Sequence, residues 1–206
     1  MTKGRLEAFS DGVIAILITI MVLELKVPHG SDLAALRPMV PTLLAYVLSF
    51  LHLAIYWNNH HHLLQAIRHV NGRVLWANVH LLFWLSLVPF MTAWIGEHPD
   101  TPLPAAFYGV VLLMAGVAYT VLVRALIAGH GKDSLIARAI GNDFKGRASL
   151  ALYLSAIPLA YLQTWIAFAI YAGVAVMWLV PDRRIERTLR EHHEAESGVH
   201  SASHGS

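Results

Sequence analysis

The sequence predicts an all-α integral membrane protein with six transmembrane helices. Hydrophobic residues make up 56% of the 206 residues and charged residues only 14%, and the mean hydropathy is +0.54. A water-exposed surface needs a larger share of Lys, Arg, Asp and Glu. Because one membrane crossing takes about 20 residues, a chain of this length supplies roughly six helices joined by short loops. We therefore expect one membrane domain, residues 1–181, followed by a basic and then His-, Ser- and Gly-rich tail, residues 182–206, that is disordered.

Charge, cysteine content and the start of the chain argue against several other classes of protein. The formal net charge of +2 is spread over loops and tail, where the membrane explains it, so nucleic-acid binding is not expected. The absence of cysteine excludes disulfides and thiolate metal sites. Glu7 and Asp11 precede the first apolar segment, which also lacks a small-residue cleavage pattern, so we expect no cleaved signal peptide. No catalytic set of paired carboxylates or of Ser, His and Asp stands out, so we expect neither an enzyme nor a cofactor.

The six predicted spans follow apolar segments that are bounded by polar or Pro- and Gly-containing turns. The first span covers residues 12–25, lengthened by 9–11, and ends before Pro28, which discourages helix continuation. A tight turn at Gln163 and Thr164 predicts that the last two spans form a helical hairpin. The other spans are predicted over residues 39–57, 74–95, 104–127, 148–161 and 165–180.

The distribution of basic residues predicts the orientation of the chain in a cell membrane. If the spans alternate, the basic residues of the N-terminus, of two later loops and of the tail fall on one side of the membrane. Only Lys26 and Arg37 fall on the other side. Because loops rich in Lys and Arg stay in the cytoplasm, we expect both termini to be cytoplasmic.

A first group of polar residues opens the first span. Buried charge costs roughly 2.5–3.5 kcal/mol at the centre of a membrane helix, so polar residues near membrane depth point to function. Arg5, Ser10 and Asp11 form this group, with Phe9 next to Ser10 in the same motif. Ser10 or Asp11 could instead be an N-cap that satisfies free amides at the start of the helix.

A second group, residues 56–62, ends the second span and includes three consecutive histidines, His60, His61 and His62. Successive side chains on a helix point about 100° apart, so adjacent histidines cannot all face one ion. No acidic residue or histidine one turn away completes a ligand set. We therefore expect no metal site here.

A third group, Trp76, Asn78 and His80, opens the third span. These residues could form an interfacial aromatic belt with hydrogen bonds between helices. If the spans alternate, however, all three groups lie at the cytoplasmic side, where they could satisfy one another in a polar network that is either functional or architectural. The predicted members of this network are Arg5, Ser10, Asp11, His60, Asn78 and His80.

An apolar stripe runs along the first span. Val13, Ile16, Ile20 and Leu23 recur at helical spacing, and Thr19 lies beside them. Such a stripe could face lipid or pack against another helix. A lone Thr in a membrane helix usually bonds to a carbonyl of its own helix.

The chain resembles the transmembrane-protein-175 family of potassium channels, in the short prokaryotic form with one six-helix repeat. The resemblance covers residues 5–97, and the later helices match only in hydropathy and length. It is carried by Arg5 followed by Phe9-Ser10-Asp11, by Tyr56-Trp57-Asn58-Asn59-His60-His61, by Leu75-Trp76-Ala77-Asn78 and by Ser86-Leu87-Val88-Pro89-Phe90.

The resemblance implies a homotetramer in which the first helix of each subunit lines a central pore. Ile16, Ile20 and Leu23 would form apolar rings, with Ile16 at the narrowest point. Thr19 would form a polar layer near which a potassium ion could bind transiently. The residues that would support the pore from the cytoplasmic side are Arg5, Phe9, Ser10, Asp11, His60, Trp76, Asn78 and His80.

The function predicted in this way is passive conduction of potassium, and of other monovalent cations, through a hydrophobic constriction in the lipid bilayer. The chain lacks the Thr-Val-Gly-Tyr-Gly filter sequence, so strong selectivity for potassium is not expected.

Two other functions stay open: a secondary transporter that uses Asp11 and the histidines as a proton relay, and a structural assembly factor. His62 also stands where we expect Arg in many relatives, and histidines there could make gating pH-sensitive.

Overall fold

The computed structural model of the protein describes residues 2–67, 69–131 and 143–179. All regular secondary structure in these ranges is helical, as predicted. The predicted tail, residues 182–206, lies outside the described residues. The helices are α1 (Lys3–Met21), α2 (Val40–Gln65), α3 (Gly72–Ser86), α4 (Val88–Glu97), α5 (Pro102–His130), α6 (Phe144–Leu162) and α7 (Thr164–Leu179), and shorter 3₁₀ segments cover Val22–Glu24 and Leu33–Met39.

Four helical stretches of the described chain are long and apolar enough to cross a membrane. They are Lys3–Glu24, Leu33–Gln65, Gly72–Glu97 and Pro102–His130. The last helix, α7, is apolar but has only 16 residues. By length and composition, the described chain therefore has four candidate membrane spans, and the crossing of the membrane by α6 and α7 stays a prediction.

The first helix begins about two turns earlier than the predicted span. It starts at Lys3, and Thr2 before it has an extended backbone with φ −77° and ψ 154°. Ser10 and Asp11 therefore lie inside the helix, and the interpretation of either residue as its N-cap is wrong. The helix extends beyond the apolar segment because Leu6, one of its early residues, is fully buried against the other helices.

The span predicted over residues 74–95 lies within one helical stretch, Gly72–Glu97, which a short break divides into two consecutive helices. The chain leaves α3 after Ser86, passes through Leu87 and begins α4 at Val88. Pro89, in the first turn of α4, has no N–H to continue the hydrogen-bond ladder of α3, although it fits the start of a new helix. Hydropathy does not detect this break because both sides of it are apolar.

The long helix α5 forms the centre of the bundle and packs against α3, α4, α6 and α7. Small residues at these contacts let the helix backbones approach closely. Examples are Ala105, Ala115 and Ala156, which are fully buried. The helix α1 packs mainly on α2, α3 and α4, so that one of its sides lies at the edge of the bundle.

Candidate functional site

The helix α1 has one buried and one exposed side, and both sides are mostly apolar. The residues that pack into the bundle are Leu6, Ser10, Ile14, Leu17 and Met21. On the other side, Ile16 is 59% exposed and Ile20 is also exposed, and Leu23, in the 3₁₀ segment that directly follows α1, is 78% exposed. A water-soluble helix would carry polar residues on such a face. The exposed side of α1 therefore requires lipid or another protein chain as its partner.

The one polar side chain of this exposed stripe is Thr19. Its hydroxyl donates a hydrogen bond to the carbonyl oxygen of Ile16 at 2.9 Å. This is the local bond expected of a lone Thr in an apolar helix. The hydroxyl oxygen can still accept, so Thr19 presents a weak oxygen ligand on the same face as Ile16 and Ile20.

The buried side of α1 is fixed by a chain of hydrogen bonds across three helices. The Asn78 Nδ2 of α3 donates to Ser10 Oγ at 2.9 Å, and Ser10 Oγ donates to the carbonyl oxygen of Leu6 at 2.9 Å. The His60 Nε2 of α2 lies 2.6 Å from Asn78 Oδ1, to which it donates. Ser10, His60 and Asn78 are fully buried. Because unpaired buried polar groups are costly, this chain favours one rotation of α1 against α2 and α3.

A second bond joins α1 to α2 beside this chain. Trp57 Nε1 donates to Asp11 Oδ1 at 3.0 Å. Asp11 and Ser10 are consecutive, so α1 is held on two adjacent sides at the same level. Trp57 lies in the second polar group, residues 56–62, but nothing in the sequence singles it out as the partner of Asp11.

Four predicted site residues do not join this network within the subunit. Arg5 and Phe9 are exposed on α1, and Trp76 is exposed on α3. His80 Nε2 instead accepts a hydrogen bond from Trp84 Nε1 of its own helix at 3.0 Å. The structure thus brings together Ser10, Asn78 and His60, with Asp11 beside them.

A further buried polar cluster lies deeper in the bundle and was missed from the sequence. Ser49 Oγ of α2 lies 3.0 Å from Tyr108 Oη of α5, and Thr92 Oγ1 of α4 donates towards Ser49 Oγ at 2.7 Å. All three residues are buried. The signal that could have found them is their position near the middle of apolar segments, where a polar side chain needs a partner.

At the C-terminal end of α1, an exposed ion pair joins the following loop to α4. Lys26 Nζ lies 2.9 Å from Glu97 Oε1. The hydrogen bond and the negative charge of Glu97 raise the pKa of Lys26 above its ordinary value. Because both side chains are well exposed, this pair adds little stability. It lies near the end of the exposed stripe, close in sequence to Leu23.

These features define a class of protein. It is a helical membrane protein whose first helix is held by buried hydrogen bonds on one side and presents an apolar stripe that contains a threonine on the other.

Comparisons with known proteins identify the family. The family described as endosomal/lysosomal potassium channel TMEM175 matches residues 5–89, which include every candidate residue of α1, α2 and α3. A potassium channel of Chryseobacterium sp. (strain P1-3) is 53% identical over 191 residues, which are 93% of this chain and 100% of that protein.

Two further matches come from one organism. A potassium channel of Chamaesiphon minutus is 30% identical over 84% of this chain and 91% of that protein. The crystal structure of a lysosomal potassium-selective channel TMEM175 homolog from Chamaesiphon minutus superposes with a TM-score of 0.73 and 29% identity, covering 86% of this chain and 96% of that one. The chain belongs to the TMEM175 family. That family is one of ion channels, so the predictions of the family and of a protein other than an enzyme are confirmed.

Proposed function

We propose that the chain conducts potassium ions passively, as a homotetramer in which four copies of α1 line a central pore. The observation that carries this proposal is the unpartnered apolar stripe of Ile16 and Ile20 in α1, continued by Leu23 in the 3₁₀ segment after it. Four such stripes around one axis would bury each other's apolar surface and leave a narrow path between them. The names of the similar proteins from Chryseobacterium and Chamaesiphon support potassium as the permeant ion.

The proposed path has a hydrophobic gate. Four large aliphatic side chains that converge on an axis exclude water when they are close together, and small rotations of the helices admit it again. Ile16 would form the narrowest ring and Ile20 and Leu23 the next two. The Thr19 hydroxyls would replace part of the hydration shell of a potassium ion between the first two rings.

The proposed polar support lies at the N-terminal end of α1. The bonds of Ser10 and Asp11 to α3 and α2 hold the buried side of α1 and so favour one direction for its exposed side. Arg5, Phe9 and Trp76 are exposed near the same end of α1 and α3. These side chains are therefore free to contact a neighbouring subunit of the tetramer.

The proposed topology places six crossings in a cell membrane and both termini in the cytoplasm. It is supported by the two helices α6 and α7, which follow the four long apolar stretches, and by the excess of Lys and Arg in loops on one side. The N-terminal end of α1, with its polar support, then faces the cytoplasm. Residues 182–206 would form a cytoplasmic tail.

Flux through purified protein in liposomes tests this function. Liposomes that carry a potassium gradient should lose it when the protein is present, at a rate that follows the gradient and needs no counter-movement of protons. Internal pH is recorded in the same vesicles with a trapped dye. A fixed ratio of protons to potassium ions would favour the proton-coupled transporter, and the absence of any flux would favour a structural role.

A further inference from the structure

A cluster of metal-ligating side chains shares Asp11 with the polar support and joins α1 to α2. Glu7 and Asp11 are one helical turn apart on α1, and His61 approaches them from α2. One ligand atom from each of these three residues lies within 4.8 Å of the other two. All three side chains are partly buried. These partners could not be read from residues 60–62 alone, because both carboxylates come from another helix.

The cluster contains a ring nitrogen whose bonding capacity is unused. His61 Nδ1 is buried and has no hydrogen-bond partner, although Glu7 Oε1 is only 3.1 Å away. The short distance thus comes without the alignment that a hydrogen bond requires. Two ligand atoms on one tetrahedral zinc ion, each at about 2.0–2.1 Å from the metal, are about 3.3 Å apart. The separation of 3.1 Å between Nδ1 and Oε1 is therefore compatible with one ion shared by both atoms, and with an ion pair between them when His61 is protonated.

The charge of the cluster also favours a cation. Among the described residues, neither Glu7 nor Asp11 forms an ion pair with Lys or Arg. The ammonium of Lys3 instead donates to the carbonyl oxygen of Gln65 at 3.2 Å. With a neutral histidine, two carboxylates carry the charge that one divalent cation neutralises.

Neighbouring side chains orient two of the three ligands. Trp57 Nε1 donates to Asp11 Oδ1 at 3.0 Å and leaves the second carboxylate oxygen available. The Gln65 side-chain amide lies 2.8 Å from His61 Nε2. The Gln65 atom at this contact is the amide nitrogen. If the amide is flipped so that its oxygen takes this position, Nε2–H donates to the oxygen and the lone pair of Nδ1 points at the carboxylates. Such supporting bonds are typical of histidines that bind metals.

We propose that Glu7, Asp11 and His61 bind a divalent transition-metal ion of the zinc type, which clamps the N-terminal part of α1 to α2. One nitrogen and two carboxylate oxygens, with a position left for water, suit Zn²⁺, whereas Mg²⁺ and Ca²⁺ prefer oxygen ligands alone. The effect of the clamp rests on the proposed function. If the gate opens by rotation of α1, an ion that ties α1 to α2 lowers the potassium flux.

Binding of Zn²⁺ to the purified full-length protein tests the site without any measurement of flux. Isothermal titration calorimetry should give one site per chain that is lost, or weakened tenfold or more, in Glu7→Gln and in His61→Gln. The matched control is His62→Gln, which changes the adjacent histidine and should bind Zn²⁺ like the wild type. The histidines of the tail are the same in all four proteins, so they cancel in the comparison. Unchanged Zn²⁺ binding in Glu7→Gln and His61→Gln would overturn the site.

Flux measurements on the same variants test the clamp. Zn²⁺ should lower potassium flux in the wild type and in His62→Gln. It should have little effect on the flux of Glu7→Gln and His61→Gln. Without Zn²⁺, these two variants should conduct potassium like the wild type. Equal potassium flux with and without bound Zn²⁺ in the wild type would show that the ion does not clamp α1. A protein that binds Zn²⁺ as described but never conducts potassium would instead overturn the proposed function and leave the site supported.

Discussion

The residues on the two sides of α1 depend on different partners. Ser10 is enclosed by its own subunit, and its hydroxyl is satisfied by Asn78 and by the backbone. Ile16 and Leu23 have no such enclosure. Substitutions on the buried side should therefore change the stability of the subunit. Substitutions on the exposed side should change ion conduction through the proposed pore.

The substitution Ile16→Asn tests the exposed side. If four Ile16 side chains form the constriction, a polar amide there keeps water in the path, and single-channel conductance in planar bilayers should rise several-fold. Leu44→Asn is the control, because Leu44 is also apolar and 63% exposed but belongs to α2. Equal conductance in the wild type and in Ile16→Asn would show that Ile16 does not line the constriction.

The substitution Asn78→Leu tests the buried side. It leaves the His60 N–H without its acceptor and Ser10 Oγ without its donor, which should cost about 1–3 kcal/mol of stability. Thermal unfolding in detergent, followed by tryptophan fluorescence, should show a lower melting temperature. Asn58→Leu, at an exposed position of α2, should leave the melting temperature nearly unchanged. Equal melting of the Asn78→Leu and Asn58→Leu variants would mean that the hydrogen-bond chain adds no stability.

Sequence reasoning placed Ser10, His60 and Asn78 in one network because the alternation of spans puts them at one depth. It could not choose between Asn78 and His80. Two residues along an α-helix are about 200° apart, so only one of this pair can face α1. The choice depends on the rotation of α3, which packing of the whole bundle decides. In the same way, the hydrogen bond to Asp11 comes from Trp57, while His61 lies close by without bonding to it.

At the scale of helices, the contact between α5 and α7 depends on one glycine. Tyr171 of α7 donates to the carbonyl oxygen of Ala105 at 3.0 Å, and its ring passes directly over Gly109 of α5. A Cβ atom at Gly109 would collide with the Tyr171 hydroxyl oxygen and would lie 3.0 Å from Cζ of the same ring. The absence of a side chain at Gly109 is thus what admits the buried tyrosine.

The substitution Gly109→Ala should therefore destabilise the bundle by about 1–3 kcal/mol, because the tyrosine or the helix must move. Gly173→Ala is the matched control in α7, since a Cβ atom there has nothing within 4 Å. It should leave stability unchanged or raise it slightly, because alanine favours the helix over the unfolded chain. Chemical unfolding in detergent compares the two variants. If Gly109→Ala unfolds at the same denaturant concentration as Gly173→Ala, the close contact does not matter.

The existence of the helices could be predicted from hydropathy, but their ends could not. The segment from Lys3 to Phe9 is only weakly apolar, and it is helical because Leu6 reaches the bundle. Leu87 is apolar, and the break there comes from Pro89 two residues later. Both features depend on local geometry and packing, to which an average over apolar residues is insensitive.

At the scale of the whole molecule, the proposed function requires four subunits. Native mass spectrometry of the protein released from detergent or nanodiscs should give a mass of four chains. A chain that stays monomeric while it conducts potassium would contradict the proposed pore, because a single α1 cannot enclose a path. The fold of the single chain could be predicted from the resemblance over residues 5–97, whereas the assembly depends on contacts between copies that one sequence does not specify.

The exposed stripe of α1 also bears on the response to voltage. From Ile16 to Leu23 no side chain is ionisable, and this stretch is about 10 Å long along the helix. In the proposed tetramer, most of the membrane potential would fall across this short dry segment rather than across the full hydrocarbon thickness of about 30 Å. The potential would then act on the permeating ion, at about 2.3 kcal/mol per elementary charge for each 100 mV, and not on the gate, which carries no charge to move. Current through an open channel should therefore increase with voltage, while the fraction of time that the channel is open should not.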